Sequence, residues 1–280
     1  MIRPVNWVKR RLILSSLSRS DSESLREIAL ALGEALSERL SREERRWVSE
    51  IERRRQILAA RNDVVRVVDY GAGTPVSSRS AEEMSRGVEV TLPVAEVCEG
   101  ASKKYRPCVL LFKLIRRTKP VRCLELGTAL GISAAYQGAA LSLNGVGHLI
   151  SLEGSEALAR IAEEGFRLLG LSRCAEVVIG RFEDNLPGIL KKHRPVDYVF
   201  IDGHHDYEAT LSYTEQILPF LANSAVLVYD DIAWSVGMRR AWRKIESDVR
   251  MAATFDMGSM GVCIVKRGLM KRPAVRFSMD

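Results

Sequence analysis

The chain has 280 residues, 46% hydrophobic and 28% charged. That suits one large domain, or an ordinary domain with an added segment, and a core of useful size. No apolar run is long enough to span a bilayer, and the N-terminus, with Lys9, Arg10 and Arg11 in its middle, lacks the apolar stretch and cleavage site of a signal peptide.

The net charge of +7 comes from arginines interleaved with acids, as in Arg42-Glu43-Glu44-Arg45-Arg46. Such mixing is the pattern of a solvated helix face, so a nucleic-acid partner is not expected. The five cysteines, Cys98, Cys108, Cys123, Cys174 and Cys263, form no CxxC pair. They read as reduced, mostly buried thiols of a cytoplasmic protein.

In chain order, the basic and amphipathic segment Val5 to Leu17 is expected to dock on the protein itself or on a partner subunit, rather than on a membrane. Leu25, Ile28, Ala29, Leu32, Ala35 and Leu36 recur at helical spacing. Ser41 followed by Glu43 and Glu44 marks a second helix start, with Trp47, Ile51 and Leu58 continuing an apolar stripe. Val64 to Val68 reads as a strand, and Gly71, Gly73, Pro75 and Ser77 to Ser80 read as loop. Pro107 fits the first turn of a helix that Pro120 ends. Residues 1–103 thus form a helical N-terminal extension with an irregular linker, and 104–280 form the core.

From Val121 the chain alternates regularly. Strands at Val121–Leu126, His148–Leu152, Glu176–Ile179, Asp197–Ile201 and Ala225–Tyr229 each lead into an amphipathic helix. Met251–Phe255 and Gly261–Val265 close the chain as an edge hairpin. The fold class is α/β: a Rossmann-like, doubly wound, mostly parallel seven-stranded sheet with an antiparallel C-terminal edge hairpin and an N-terminal helical extension.

Ligands of open α/β sheets bind beyond the carboxyl ends of the strands. The residues there include Glu125, Glu153, Asp202, Asp230 and Asp231. So many carboxylates suit a cationic ligand or a metal, not a phosphate. The first turn, Glu125-Leu126-Gly127-Thr128-Ala129-Leu130-Gly131, lacks the middle glycine that admits a diphosphate. Its acid would attract an α-ammonium instead, and Glu153 can accept ribose hydroxyls. Val67 to Gly73 also looks like a strand ending in an acidic glycine turn. Pro75 and the serines stand where its helix should begin, so it reads as a loop near the site or at a subunit contact.

On Glu125, Gly127, Gly131, Glu153 and Asp202, in that order and spacing, the sequence resembles the class I S-adenosylmethionine-dependent methyltransferases. The resemblance implies that Glu125 and the turn backbone, including Thr128, hold the methionine part, that Glu153 holds the ribose, and that Arg181 and Phe182 lie near the adenine. Val196 to Asp202 and Val228 to Asp231 resemble the matching strands of the catechol and caffeoyl-coenzyme A O-methyltransferases. There an acid after the fourth strand and an Asp-Asn pair after the fifth bind a divalent ion. Here the pair is Asp230-Asp231, so a site for Mg2+ or another hard cation is expected at Asp202, Asp230 and Asp231. A competing role for either of the last two is to cap the helix containing Trp234. His204 and His205 are candidate bases, the second matching a lysine of the catechol-type enzymes. Asp230 to Ser235 and Asp202 to His205 also resemble a bacterial branch with a helical N-terminal extension, which implies no particular acceptor. Trp234 and Trp242 are expected as core residues on one helix face, Trp234 alternatively as a wall of the acceptor site.

The reading that results is S-adenosylmethionine-dependent O-methylation of a small molecule, with a homodimer formed through the N-terminal helices. The alternatives are an RNA methyltransferase and a non-catalytic nucleoside-binding domain.

Overall fold

The computed structural model describes residues 4–74, 77–266, 268 and 274–277. Three helices open it: α1 (Pro4–Leu17), α2 (Glu23–Leu36) and α3 (Arg42–Ala59). Leu25, Ile28, Ala29, Leu32 and Ala35 of α2 are buried, as their spacing requires. At the start of α3 the Ser41 hydroxyl accepts from the Glu44 amide at 3.2 Å, and the Glu44 carboxylate accepts from the Ser41 amide at 2.8 Å. This reciprocal cap explains why the helix begins there.

The stretch after α3 is more ordered than a strand and a loop. It runs through β1 (Val64–Asp69), β2 (Gly73–Thr74), β3 (Ser77–Ser78), α4 (Ala81–Arg86), β4 (Val88–Pro93) and α5 (Val94–Ala101). β1 and β4 pair antiparallel in their own two-stranded sheet, from Val64 opposite Pro93 to Asp69 opposite Val88. The alternation Val88, Val90, Leu92 is the period-two signal of β4. Pro75 lies outside the described residues.

The remaining elements are α6 (Tyr105–Thr118), β5 (Arg122–Leu126), α7 (Ile132–Asn144), β6 (His148–Glu153), α8 (Glu156–Leu169), β7 (Ala175–Ile179), α9 (Phe182–His193), β8 (Val196–Ile201), α10 (Tyr207–Ile217), β9 (Leu221–Tyr229), α11 (Val236–Ser247), β10 (Met251–Asp256), β11 (Gly261–Lys266) and β12 (Val275–Arg276). The main sheet has the order β12-β10-β11-β9-β8-β5-β6-β7. Strands β9, β8, β5, β6 and β7 are mutually parallel. The expected hairpin is present, but β11 lies inside it, against β9, and the two-residue β12 adds an eighth strand beyond β10. Strand order reverses at β5, so the crevice between the ends of β5 and β8 is the expected binding place.

Two boundaries differ from the sequence reading for local reasons. A 3-10 turn at Leu218–Phe220, around Pro219, ends α10 early, and β9 starts at Leu221. Helix α11 starts at Val236 because Ser235, not Asp230 or Asp231, caps it; its hydroxyl accepts from the Met238 amide at 3.0 Å. The cysteines are free thiols, all buried except the half-buried Cys174. Among the described residues no helix is long and apolar enough to cross a membrane.

α2 packs on α6, and α3 on α5, α7 and α8, so the N-terminal helices share the core that covers one sheet face. A buried ion cluster locks this contact. Lys113 of α6, 3% exposed, lies 3.3 Å from Glu34 of α2 and 2.6 Å from Glu44 of α3. Arg116 reaches Glu44 at 3.3 Å and Arg117 pairs with Glu34. Removing one partner of such a cluster leaves buried charge uncompensated. Lys113→Met should therefore lower unfolding stability by about 3–5 kcal/mol in urea denaturation; a loss within error of zero would mean that the two glutamates find water instead.

Candidate active site

The carboxyl ends of the parallel strands are tied together by backbone. The Asp202 amide donates to the Leu126 carbonyl at 2.8 Å, and the Asp230 amide to the Ile201 carbonyl at 2.9 Å. The amides of Gly127 and Thr128 both point to the Leu152 carbonyl, at 3.0 and 3.2 Å. Gly127 is required here twice over. Its φ is +103°, and a Cβ would meet the Asp202 carbonyl oxygen at 2.1 Å. Gly131, at φ +79°, lets α7 start against Ala162 of α8, where a Cβ would meet the alanine side chain at 2.8 Å. These two glycines let β5, β6 and β8 converge on one turn.

Glu125 is turned away from that turn. It is fully buried, accepting from Gln137 Nε2 at 2.7 Å and from Ser151 Oγ at 2.5 Å. Thr128, also buried, donates its hydroxyl to Ser151 at 2.6 Å. Burial pushes the Glu125 carboxyl up to about 7 despite these donors. The partners of Glu125 in this structure are thus Gln137 and Ser151. Glu125 braces the turn from beneath, through Ser151 and Thr128.

Glu153 faces the turn from above. Its Oε2 accepts from the Ala129 amide and its Oε1 from the Ser155 amide, both at 2.8 Å. Burial raises this carboxyl too, to about 7, and the nearby Asp69 adds to the rise. Asp69 ends β1, the strand of the irregular segment, and the Ala72 amide donates to the His204 carbonyl at 2.9 Å. The Arg181 guanidinium stands 6.0 Å from the Tyr70 ring centre, and that ring packs so closely on Gly154 that a Cβ there would meet it at 2.6 Å. The Asp69–Gly73 loop is thus a wall beside Glu153 and Arg181.

The two histidines part company. His204 is buried; its Nδ1 is 2.8 Å from the Tyr213 hydroxyl, which donates to Glu183 at 2.8 Å. Its ring meets Phe182 edge-on at 5.5 Å, and Phe182 itself lies under Gly203. Burial holds His204 below the ordinary histidine range, against the pull of Glu183. Its ring is packed between Phe182 and Tyr213. His205 projects into the cleft instead, its Nε2 3.8 Å from both Asp202 Oδ1 and Asp231 Oδ2. Its ring centre is 6.2 Å from Trp234. Trp234 is 39% exposed and precedes α11, so of the two tryptophans only Trp242 is a core residue.

Asp202, Asp230 and Asp231 do converge, because Asp231 takes a φ of +49° that breaks the strand alternation. What they converge on is an ammonium. Lys103, from the segment joining α5 to α6, lies 3.2 Å from Asp202 Oδ1 and bonds Asp230 Oδ2. Burial would lower its pKa, but Asp202 and Asp231 outweigh that and hold it above the ordinary range. Among the described residues no cluster of three or more histidine, cysteine or acidic side chains is arranged to hold a metal ion. As they stand, the three aspartates do not fit the divalent ion expected of them. Sequence reasoning missed Lys103, which lies in the short connection between α5 and α6, whereas Tyr70 belongs to the Val67–Gly73 loop expected near the site. Four of the six described non-glycine residues with positive φ, Ala129, His204, His205 and Asp231, lie at these strand ends, as strained backbone does at functional sites.

Residues 124–232 match a family model described as a methyltransferase domain. The chain is 30% identical over 143 residues to O-methyltransferase hkm8 of Aspergillus hancockii, covering 48% of this chain and 53% of that protein. It is 31% identical over 111 residues to a catechol O-methyltransferase of Mycobacterium tuberculosis, covering 40% and 48%. The chain thus spans about half the length of the curated relatives it matches. Among solved structures, the O-methyltransferase from Bacillus cereus in complex with SAH aligns with a TM-score of 0.52 at 23% identity, over 61% of this chain and 89% of that one. The O-methyltransferase TomG from Streptomyces achromogenes in complex with SAM aligns with a TM-score of 0.52 at 22% identity, over 59% and 82%. Residues 124–232 thus resemble a methyltransferase domain, and the core shares its fold with these O-methyltransferase structures.

Glu125 supplies a pH test of the turn's foundation. An acid whose folded pKa, about 7, exceeds its ordinary value of 4.5 gives stability that is fully present below the lower value. That stability is lost as pH rises through the higher one. Wild type should thus weaken relative to Glu125→Gln between about pH 5 and about pH 8 in urea titrations. Parallel stability curves would show that Glu125 ionises as easily folded as unfolded.

Proposed function

We propose that the chain transfers a methyl group from S-adenosylmethionine to a hydroxyl of a small molecule. One observation carries this reading: the Glu153 carboxylate stands at the end of β6, beside the Gly127–Gly131 turn, at the point where strand order reverses. A carboxylate there can accept the ribose hydroxyls of a nucleoside, and the turn beside it lacks the middle glycine that admits a diphosphate. When bound, S-adenosylmethionine supplies an electrophilic methyl group on a sulfonium.

Each Glu153 oxygen is engaged by one backbone amide, and the lone pairs that remain can accept the two ribose hydroxyls. The backbone of the turn holds the methionine part, with Asp202 across the cleft from it. Tyr70 and Arg181 border the adenine side. At the acceptor end, His205 takes the hydroxyl proton at Nε2, and the carboxylates of Asp202 and Asp231 stabilise the resulting imidazolium. Trp234 shields this end from water. A divalent ion at Asp202, Asp230 and Asp231 would have to displace the Lys103 ammonium, so no step is assigned to one. The buried stripes of α2 and α3 pack inside the chain, so a homodimer through the N-terminal helices would use their other faces.

Calorimetry with S-adenosylmethionine tests the cofactor. Glu153→Gln should weaken binding about 10- to 100-fold, the worth of one charge-assisted bond, while the protein stays folded. Folded wild type that gives no heat would sink the reading. With hydroxylated small molecules and bulk RNA offered as acceptors, S-adenosylhomocysteine release should follow the small molecules. His205→Asn should then lower kcat by about 10²–10⁴-fold, with cofactor affinity unchanged. Release with RNA alone would move the acceptor to a different class.

A further inference from the structure

The acceptor end holds three carboxylates within reach of one another, and two of them are shielded from water. The Asp230 side chain is 2% exposed and that of Asp202 is 10% exposed. Buried carboxylates need a partner of opposite charge. Lys103 is that partner: its side chain is 14% exposed, and its ammonium bridges the ends of β8 and β9. The chain also fixes the backbone behind it. The Lys103 carbonyl accepts from the buried Cys108 thiol at 3.3 Å, and Lys104, the next residue, caps α6. A compact cation is therefore built into the place between Asp202 and Asp230 where a divalent ion would have to sit. A second cation entering there would face the ammonium at contact distance.

We propose that Lys103 is the resident cation of the acceptor site, positioning Asp202 and Asp230 in place of a divalent metal. An ammonium has three donors, and the two aspartates take two. The third is left for an oxygen entering the cleft, so the acceptor that fits is one whose oxygen gains negative charge as its proton leaves. Lys103 acts beside His205, which remains the proton acceptor. The methyl-transfer reading enters only in naming that oxygen; the seating of the cation does not depend on it.

The test is Mn2+ titration calorimetry on three proteins, with melting curves alongside. Wild type should show no saturable Mn2+ uptake, and its melting temperature should not respond to Mn2+. Lys103→Ala exposes the carboxylates and should bind Mn2+ at least about tenfold tighter than wild type, with a rise in melting temperature. Adding Asp230→Asn to that variant should abolish the gain. If Lys103→Ala does not fold, Lys103→Gln, uncharged and of similar length, replaces it. The proposal is overturned if wild type takes up Mn2+ and Asp230→Asn alone removes that uptake, or if the folded lysine variant gains none. Calorimetry with S-adenosylmethionine on the same samples separates this outcome from failure of the methyl-transfer reading, because it is blind to the cation.

Discussion

The site depends on how closely β5 approaches β8. The Gly127 position touches the Asp202 carbonyl so nearly that no side chain fits between them. That contact, with the Asp202 amide on the Leu126 carbonyl, sets the width of the crevice at the point where strand order reverses. Everything that faces the crevice is placed from there. Glu153 is aimed by the Ala129 amide of the same turn, and Asp202 by the residue before Gly127. Asp230 follows in turn through the Ile201 carbonyl.

Convergence of five acids costs free energy, since each loses water and gains like-charged neighbours. The structure handles each one differently. Glu125 sits over serine and glutamine donors and is pushed toward its neutral form. Glu153 is held by two backbone amides. Asp202 and Asp230 share Lys103, and Asp231 is more exposed and lies as near His205 as Asp202 does. What remains is a cleft still biased toward cations, with one carboxylate face open at Glu153.

The sheet was legible in the sequence because its signals are local. Short apolar runs, glycine turns and amphipathic helices alternate from Val121 onward, and each element announces its own period. The strand-end acids were legible for the same reason: topology alone puts residues that follow a parallel strand at one edge. Side-chain direction was not. Glu125 and Glu153 both end strands next to the turn, yet one faces the interior and the other the cleft, which depends on Ser151 and Gln137 across a neighbouring strand and helix. His204 and His205 are adjacent in sequence and differ in role because two successive left-handed residues, at φ 63° and 48°, split their directions. Trp234 stays out of the core because Ser235 begins α11 after it.

The boundary between extension and core is where sequence reading was weakest, and the reason is instructive. The β1–β4 ribbon is mostly part-buried, and its two strands are separated by short irregular pieces, so the apolar alternation of Val88, Val90 and Leu92 is not joined to a regular run. Yet residues 62–104 send three things to the site: the Ala72 amide to His204, the Tyr70 ring to Gly154, and the Lys103 ammonium to Asp202 and Asp230. The stretch around Val67 to Gly73 that imitates a glycine turn is therefore neither a second cofactor turn nor a plain linker. The segment before α6 thereby reaches the strand ends, where its Lys103 supplies the cation that faces the buried Asp230.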